Sequence, residues 1–260
     1  MQPIFIAIIQ NDIPAFLGLV EERELWLEVR NVEQDNSTVL HMAANHGHGE
    51  LVSKIIELKR SLIFSRNAHG NTPLHLAALL GDVNTVRTLL EFGSETCSQN
   101  NNYQTPLHLV CRSISTEAAR IFAEKTRFVS LDELKFALSS GSTCVTRIVL
   151  ERFPDLARKL AWLVEDSLTT LLHHACDRGN LELISILLGL DQGLEKDRAT
   201  NGLSPLHLAV LRRRVVVLEE FLEKAPFSFS SLTRSKDSLS SRHKKQKHRC
   251  LHFHGRESGN

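Results

Sequence analysis

Residues Asn71 to Ser94 read NTPLHLAALLGDVNTVRTLLEFGS, and weakened copies of that stretch recur on both sides of it. They run STVLHMAANHGHGELVSKIIE, QTPLHLVC, TTLLHHACDRGNLELISILLG and LSPLHLAVLRRRVVVLEEFLE. Each holds a histidine at the same place: His41, His75, His108, His173 and His207, separated by 34, 33, 65 and 34 residues. Because 65 is close to two periods, an eroded unit is expected between His108 and His173, with Lys135 near its anchor position. Toward the N-terminus, PIFIAIIQNDIPAFLGLVEE fits the same apolar pattern with Phe5 in the histidine slot, 36 residues before His41. The outcome is seven tandem units over residues 1 to 225.

The chemistry of one unit explains the pattern. Thr72, Thr105 and Ser204 each precede a proline, so a hydroxyl caps the helix start while Pro73, Pro106 or Pro205 takes the first helical position. Leu74, Ala77 and Ala78 follow at helical spacing, and the small alanines let neighbouring helices approach closely. Gly81 allows a turn. Val83, Val86, Leu89 and Leu90 then form the apolar stripe of a second, antiparallel helix that Gly93 ends. A helix pair this short cannot bury its own apolar face, so stability must come from stacking each pair on its neighbours.

These residues resemble the ankyrin repeat, whose signature is T-P-L-H-x-A-A, a turn with glycine, then V-x-x-L-L. The resemblance covers about 225 of the 260 residues and implies an all-α solenoid of stacked helix-turn-helix units joined by short hairpin loops. The TPLHLAALLGD-style units with an eroded middle also look like those of plant ankyrin proteins of the accelerated-cell-death type. Members of that group carry further repeats and then a C-terminal membrane domain of about four helices, which this sequence lacks, so the resemblance implies a shortened form.

Departures from the pattern mark its weak places. After His108, LVCRSISTEAARIFAEKTRF lacks the turn glycine, although Ser130 and Glu133 supply a capping box for the next first helix. Arg213 stands where a turn glycine is due. The halves 1–112 and 131–225 are therefore expected to open against each other more readily than ordinary neighbours. The repeat array is assigned to residues 1–233 and a disordered, basic, histidine-rich tail to 234–260, where eight Lys and Arg face Asp237 and Glu257.

With 31 Lys and Arg against 30 Asp and Glu, the chain has a formal charge of +1 and no global field for a polyanion, so no nucleic acid is expected. Five cysteines without a C-x-x-C pair indicate neither a disulfide framework nor a thiolate zinc site, which favours the cytoplasm. The start lacks a basic region and a cleavage site, and no window reaches the roughly 18 uninterrupted apolar residues of a membrane span. RHKKQKHR, residues 242–249, leaves open nuclear entry or peripheral contact with anionic lipid at the plasma membrane, against a solvated tail with no dedicated role.

Thirteen histidines invite a metal reading. The motif histidines, however, sit one per repeat at a helix start, where an imidazole ties a neighbouring hairpin or hydroxyl. His243, His248, Cys250, His252 and His254 are the alternative ligands, in a spacing that fits no standard finger. There is no G-x-S-x-G, no H-E-x-x-H and no phosphate loop, so no catalytic residue, cofactor or metal is assigned. Cys111 and Cys176 take the second alanine slot of the motif and read as core.

Function then falls to the variable positions that a stacked array displays in a row. By the resemblance these are the hairpin residues and those just after the A-A pair. They are Gln34, Asp35, Ser37, Asn45 and His46, then Ala68, His69, Asn71, Leu79 and Leu80. Asn101, Asn102, Gln104 and Arg112 follow, then Asp177 and Arg178, then Asn201, Leu203, Leu211 and Arg212. Leu79 and Leu80 either anchor an apolar partner side chain in mid-groove or pack against adjacent first helices. The expected activity is a non-catalytic protein-binding scaffold in signalling, with a plant defence or stress role implied by the resemblance. Its partner is a protein or peptide along the concave groove. The alternative is a regulatory, membrane-associated form that pairs with longer ankyrin membrane relatives or reaches lipid through its tail.

Overall fold

The structure, a computed structural model, describes residues 2–113, 115–159, 162–164 and 167–229. The basic tail 234–260, its histidines and Cys250 lie outside the described residues. The chain divides into two compact units, 1–153 and 154–260.

In the first unit the helices come in pairs. They are α1 (Pro3–Ile9) and α2 (Ile13–Glu22), α3 (Val39–Asn45) and α4 (Gly49–Leu58), and α5 (Pro73–Leu80) and α6 (Val83–Glu91). Two further pairs are α7 (Pro106–Val110) with α8 (Thr116–Lys125), and α9 (Leu131–Ser139) with α10 (Thr143–Arg152). First helices pack on first helices, α1 on α3, α3 on α5 and α5 on α7, while second helices form an outer layer, α4 on α6, α6 on α8 and α8 on α10. The core runs between the layers through Leu40, Leu51, Ile55, Leu74, Val86, Leu89 and Phe122, each with no more than a trace of exposed surface. The division between units falls at Phe153, not between 112 and 131, because α8 stays stacked between α6 and α10.

The second unit holds α11 (Asp155–Arg158), α12 (Leu171–Arg178), α13 (Leu181–Leu190), α14 (Pro205–Leu211) and α15 (Val215–Lys224), with α12 on α14 and α13 on α15. Short antiparallel strands precede two of the first helices. β1 (Arg30–Asn31) pairs with β2 (Ser37–Thr38), and β3 (Trp162–Val164) pairs with β4 (Ser167–Thr169).

In six of the described helix pairs the turn uses a left-handed residue. Gly47, Gly81, Gly141 and Gly179 supply it with φ between 72° and 75°. Asn11 and Arg213 occupy the same place at φ 53° and 55°. Arg213 thus replaces glycine without changing the turn, at a cost of about 1 kcal/mol for placing a Cβ in that conformation.

Candidate interaction surface

The inner face of the first unit is built by the motif histidine. In the repeat that decides the fold, the Thr72 hydroxyl lies 2.8 Å from His75 Nδ1, and the Thr72 backbone N–H donates to the same nitrogen at 3.1 Å. Nδ1 is therefore an acceptor and the ring proton sits on Nε2, which donates to the Gln104 carbonyl of the next hairpin at 3.0 Å. His41 does the same with Thr38 and the Asn71 carbonyl, at 2.8 Å from each. In the second unit, His173 does so with Thr170 and the Leu203 carbonyl, the latter at 2.9 Å. Burial pushes His41, His75 and His173 down to a pKa of about 4, and it lowers His108 and His207 in the same direction. These imidazoles are structural ties.

The eroded fifth unit inverts this device. Its helix-start slot is filled by Glu133, not by Lys135, because Ser130 caps the helix and the third residue after the cap is the one that turns back. The carboxylate accepts from the Ser130 backbone N–H at 2.7 Å and from the Thr105 hydroxyl of the preceding repeat at 2.5 Å. A forward-reaching imidazole has become a backward-reaching carboxylate. His108 meets the ring of Phe136 edge-on, with centroids 5.1 Å apart.

Hairpins stack on hairpins through the backbone. Ala68 N–H donates to the Asp35 carbonyl at 2.7 Å, and Asn101 N–H donates to the His69 carbonyl at 3.0 Å. Two arginines reinforce the row: one Nη1 of Arg30 reaches the carbonyls of Asn36 and Arg66, and that of Arg66 reaches the carbonyls of Gly70 and Gln99. Sequence reasoning missed this arginine pair, although Arg30-Asn31 and Arg66-Asn67 recur one period apart.

These contacts sort the expected recognition residues. Gln34, Asp35, Asn45, Ala68, His69, Leu79, Leu80, Asn101, Asn102 and Arg112 are exposed along the first unit, and His46, Asn71 and Gln104 are half-buried. Ser37 is a correction: it is buried in β2, paired with Asn31, so its side chain is not displayed. His69 Nε2 lies 3.0 Å from an Asp35 carboxylate oxygen, and the Asn71 side-chain oxygen accepts from Asn100 at 2.8 Å. In the second unit Arg178 and Leu211 are exposed, Asn201 and Leu203 are half-buried, and Asp177 pairs with Arg212 at 2.6 Å.

Within the first unit a polar cavity of about 320 Å³ opens between the first hairpin and the start of the inner helices, lined by Glu33, Gln34, Asp35, Asn45, His46 and Leu76 among others. His46 is held by a 2.9 Å bond between Nδ1 and the Met42 carbonyl and stacks on His48 at 5.7 Å. Leu79 and Leu80, 40% and 50% exposed, lie at the far end of α5, where Leu80 covers Gly47. Among the described residues no three His, Cys, Asp or Glu side chains group as metal ligands.

Comparison with known proteins agrees with this architecture. The family model "Ankyrin repeats (3 copies)" matches residues 4–100 and 134–229. Human transient receptor potential cation channel subfamily A member 1 is 28% identical over 198 residues, 70% of this chain and 17% of that protein. The mouse B-cell lymphoma 3 protein homolog is 26% identical over 191 residues, 68% of this chain and 42% of that protein. The crystal structure of the ankyrin repeat domain of Bcl-3, a member of the IkappaB protein family, superposes with a TM-score of 0.62 at 22% identity, covering 84% of this chain and 98% of that one. The chain thus spans 17% and 42% of the length of these two relatives.

Proposed function

Since the chain belongs to the ankyrin-repeat family, we propose that it is a non-catalytic scaffold holding a protein or peptide partner along the concave face of its repeats. The supporting observation is the leucine pair. The positions of Leu79 and Leu80 are Asn45 and His46 in the preceding repeat and Arg112 and Ser113 in the following one. The repeat itself therefore does not need apolar residues there. An exposed apolar pair on a face that also displays the polar side chains of Asn45, His69, Asn101 and Arg112 suits an apolar anchor with orienting hydrogen bonds around it.

The test is a double substitution, Leu79→Glu with Leu80→Glu, in the full chain. Partners recovered by affinity purification from native cells should bind the wild type and not the variant, while far-ultraviolet helicity is retained. Undiminished capture removes this patch from the function.

The narrower assignment to plant defence or stress signalling rests on the TPLHLAALLGD-style units with an eroded middle. Free cysteines at 97, 111, 144 and 176 support a reducing, cytoplasmic setting. No described helix is long and apolar enough to cross a membrane. The second reading, contact with lipid or with longer ankyrin membrane relatives, rests on the basic composition of 234–260, outside the described residues. Deleting 234–260 separates the two: groove binding persists under the first reading, and membrane or nuclear distribution changes under the second.

A further inference from the structure

Tandem repeats allow a direct comparison of one position across several environments, and the comparison isolates two apolar faces. Counting each outer helix from its cap, the third residue is buried in Leu51, Thr85, Ala118 and Val145, yet Ala15 of α2 is exposed. On the inner helices of the first unit the fourth residue is buried in Met42, Leu109 and Leu134 and half-buried in Leu76, whereas Ile6 of α1 is 43% exposed. Together with Pro3, Gly18 and Leu19, and with Gln10 and Glu22 as its polar members, these residues line a mostly apolar groove of about 440 Å³ between α1 and α2. Those positions are the ones a preceding repeat covers elsewhere in the stack.

The last described repeat shows the complement. The eighth residue of the outer helix is buried in Ile56, Ala123, Leu150 and Leu188 and half-buried in Leu90, but Leu222 is 56% exposed. The sixth residue of the inner helix is buried in Ala44, Ala78, Cys111 and Cys176 and half-buried in Phe136, but Val210 is 45% exposed. Val215 extends this exposed apolar surface. Here the uncovered positions are those that a following repeat covers.

The turns set the register in which such faces meet. The left-handed residue of one repeat abuts the cap of the outer helix in the next: a Cβ at Gly47 would come 3.4 Å from Asp82, and one at Gly179 would come 3.3 Å from Arg214. Continued by one step, the same register sets Arg213 of the last repeat against Asp12 of a first repeat, guanidinium against carboxylate. Apolar groove, apolar helix face and opposite charge at the turn all match.

We propose that this surface receives a second copy of the chain, the first repeat of one molecule stacking on the last repeat of another. The two faces differ, so the contact is heterologous, and each molecule offers one donor face and one acceptor face. The faces use repeat positions away from the leucine pair, so self-stacking leaves the concave row available to its own partner.

The experiment is a sedimentation series on the full chain. The wild type should gain weight-average mass as concentration rises, and added salt should weaken the gain. Gly18→Glu places a side chain in the groove where a Cβ meets nothing within 4 Å in the single molecule, so it folds, and it should stay a monomer. Leu222→Glu should also stay a monomer. Mixed in equal amounts, the two variants should form a 1:1 dimer and nothing larger, because each retains the face that the other has lost. A constant monomer mass for the wild type overturns the proposal. So does assembly abolished by only one of the variants, which indicates a two-fold contact, and so does a mixture that stays monomeric.

Discussion

The Nε2 of His75 donates to the carbonyl of Gln104 at 3.0 Å, so the side chain that closes one helix start also holds the hairpin of the next repeat. Removing it leaves a buried carbonyl and a buried threonine hydroxyl short of a partner. His75→Ala is expected to cost about 1–3 kcal/mol, read as a lower urea midpoint, with helicity unchanged at low denaturant. His75→Ala without a change in midpoint contradicts this tie.

The same imidazoles make stability depend on acidity. His41, His75 and His173 titrate near 4 in the folded chain because burial disfavours the cation, against about 6.5 when unfolded. Their contribution is complete above pH 6.5 and is lost as the pH falls from 6.5 toward 4, because there the unfolded chain binds protons that the folded chain refuses. Each such histidine removes up to about 1.4 kcal/mol per pH unit within that window. Urea unfolding between pH 7 and 4.5 measures the slope, and His75→Ala should make it shallower.

Arg213 carries a left-handed backbone that its counterparts Gly47, Gly81 and Gly179 adopt without a Cβ. Arg213→Gly is expected to raise stability by about 1 kcal/mol in thermal or urea unfolding. By the stacking inference the same change weakens association, because it also removes the charge opposite Asp12.

Glu133 joins Ser130 and Thr105 with one carboxylate. Glu133→Ala should destabilise the first unit by about 1–3 kcal/mol, since it removes a helix cap and a link between repeats together. Lys135→Ala, at the position the spacing alone suggests, should cost less stability than Glu133→Ala.

Thiol chemistry reports the stack from another side. Burial pushes the Cys111 thiol up to about 12 and raises Cys176 still further, whereas Cys97 and Cys144 are exposed. Alkylation of the native chain followed by peptide mass spectrometry should mark Cys97 and Cys144 first. Cys111 and Cys176 should react only on unfolding.

The fold was legible because a helix pair of this size has no stable life alone, so evolution must repeat its core positions at a fixed period. Pro73, His75 and Gly81 each answer a local backbone demand, and such demands survive in the sequence. What escaped was set by neighbours. Nothing local to Ser37 says that its strand partner buries it, and the carbonyls of Asn71, Gln104 and Leu203 are used by histidines about 30 residues away. Glu133 was readable as a cap, but its reach to Thr105 depends on how two repeats lie together. The leucine pair was readable as a candidate, and only its exposure in the stack separates it from core.

The repeat around Thr105 has the shortest inner helix of the first unit and no turn glycine, yet it is clasped from both sides. His75 grips Gln104 from behind and Glu133 grips Thr105 from ahead. Its two neighbours thus act as splints, so a repeat with a short inner helix and no turn glycine stays closed within the array. In the intact chain, the backbone amides of this segment should exchange with deuterium as slowly as those of the repeats on either side.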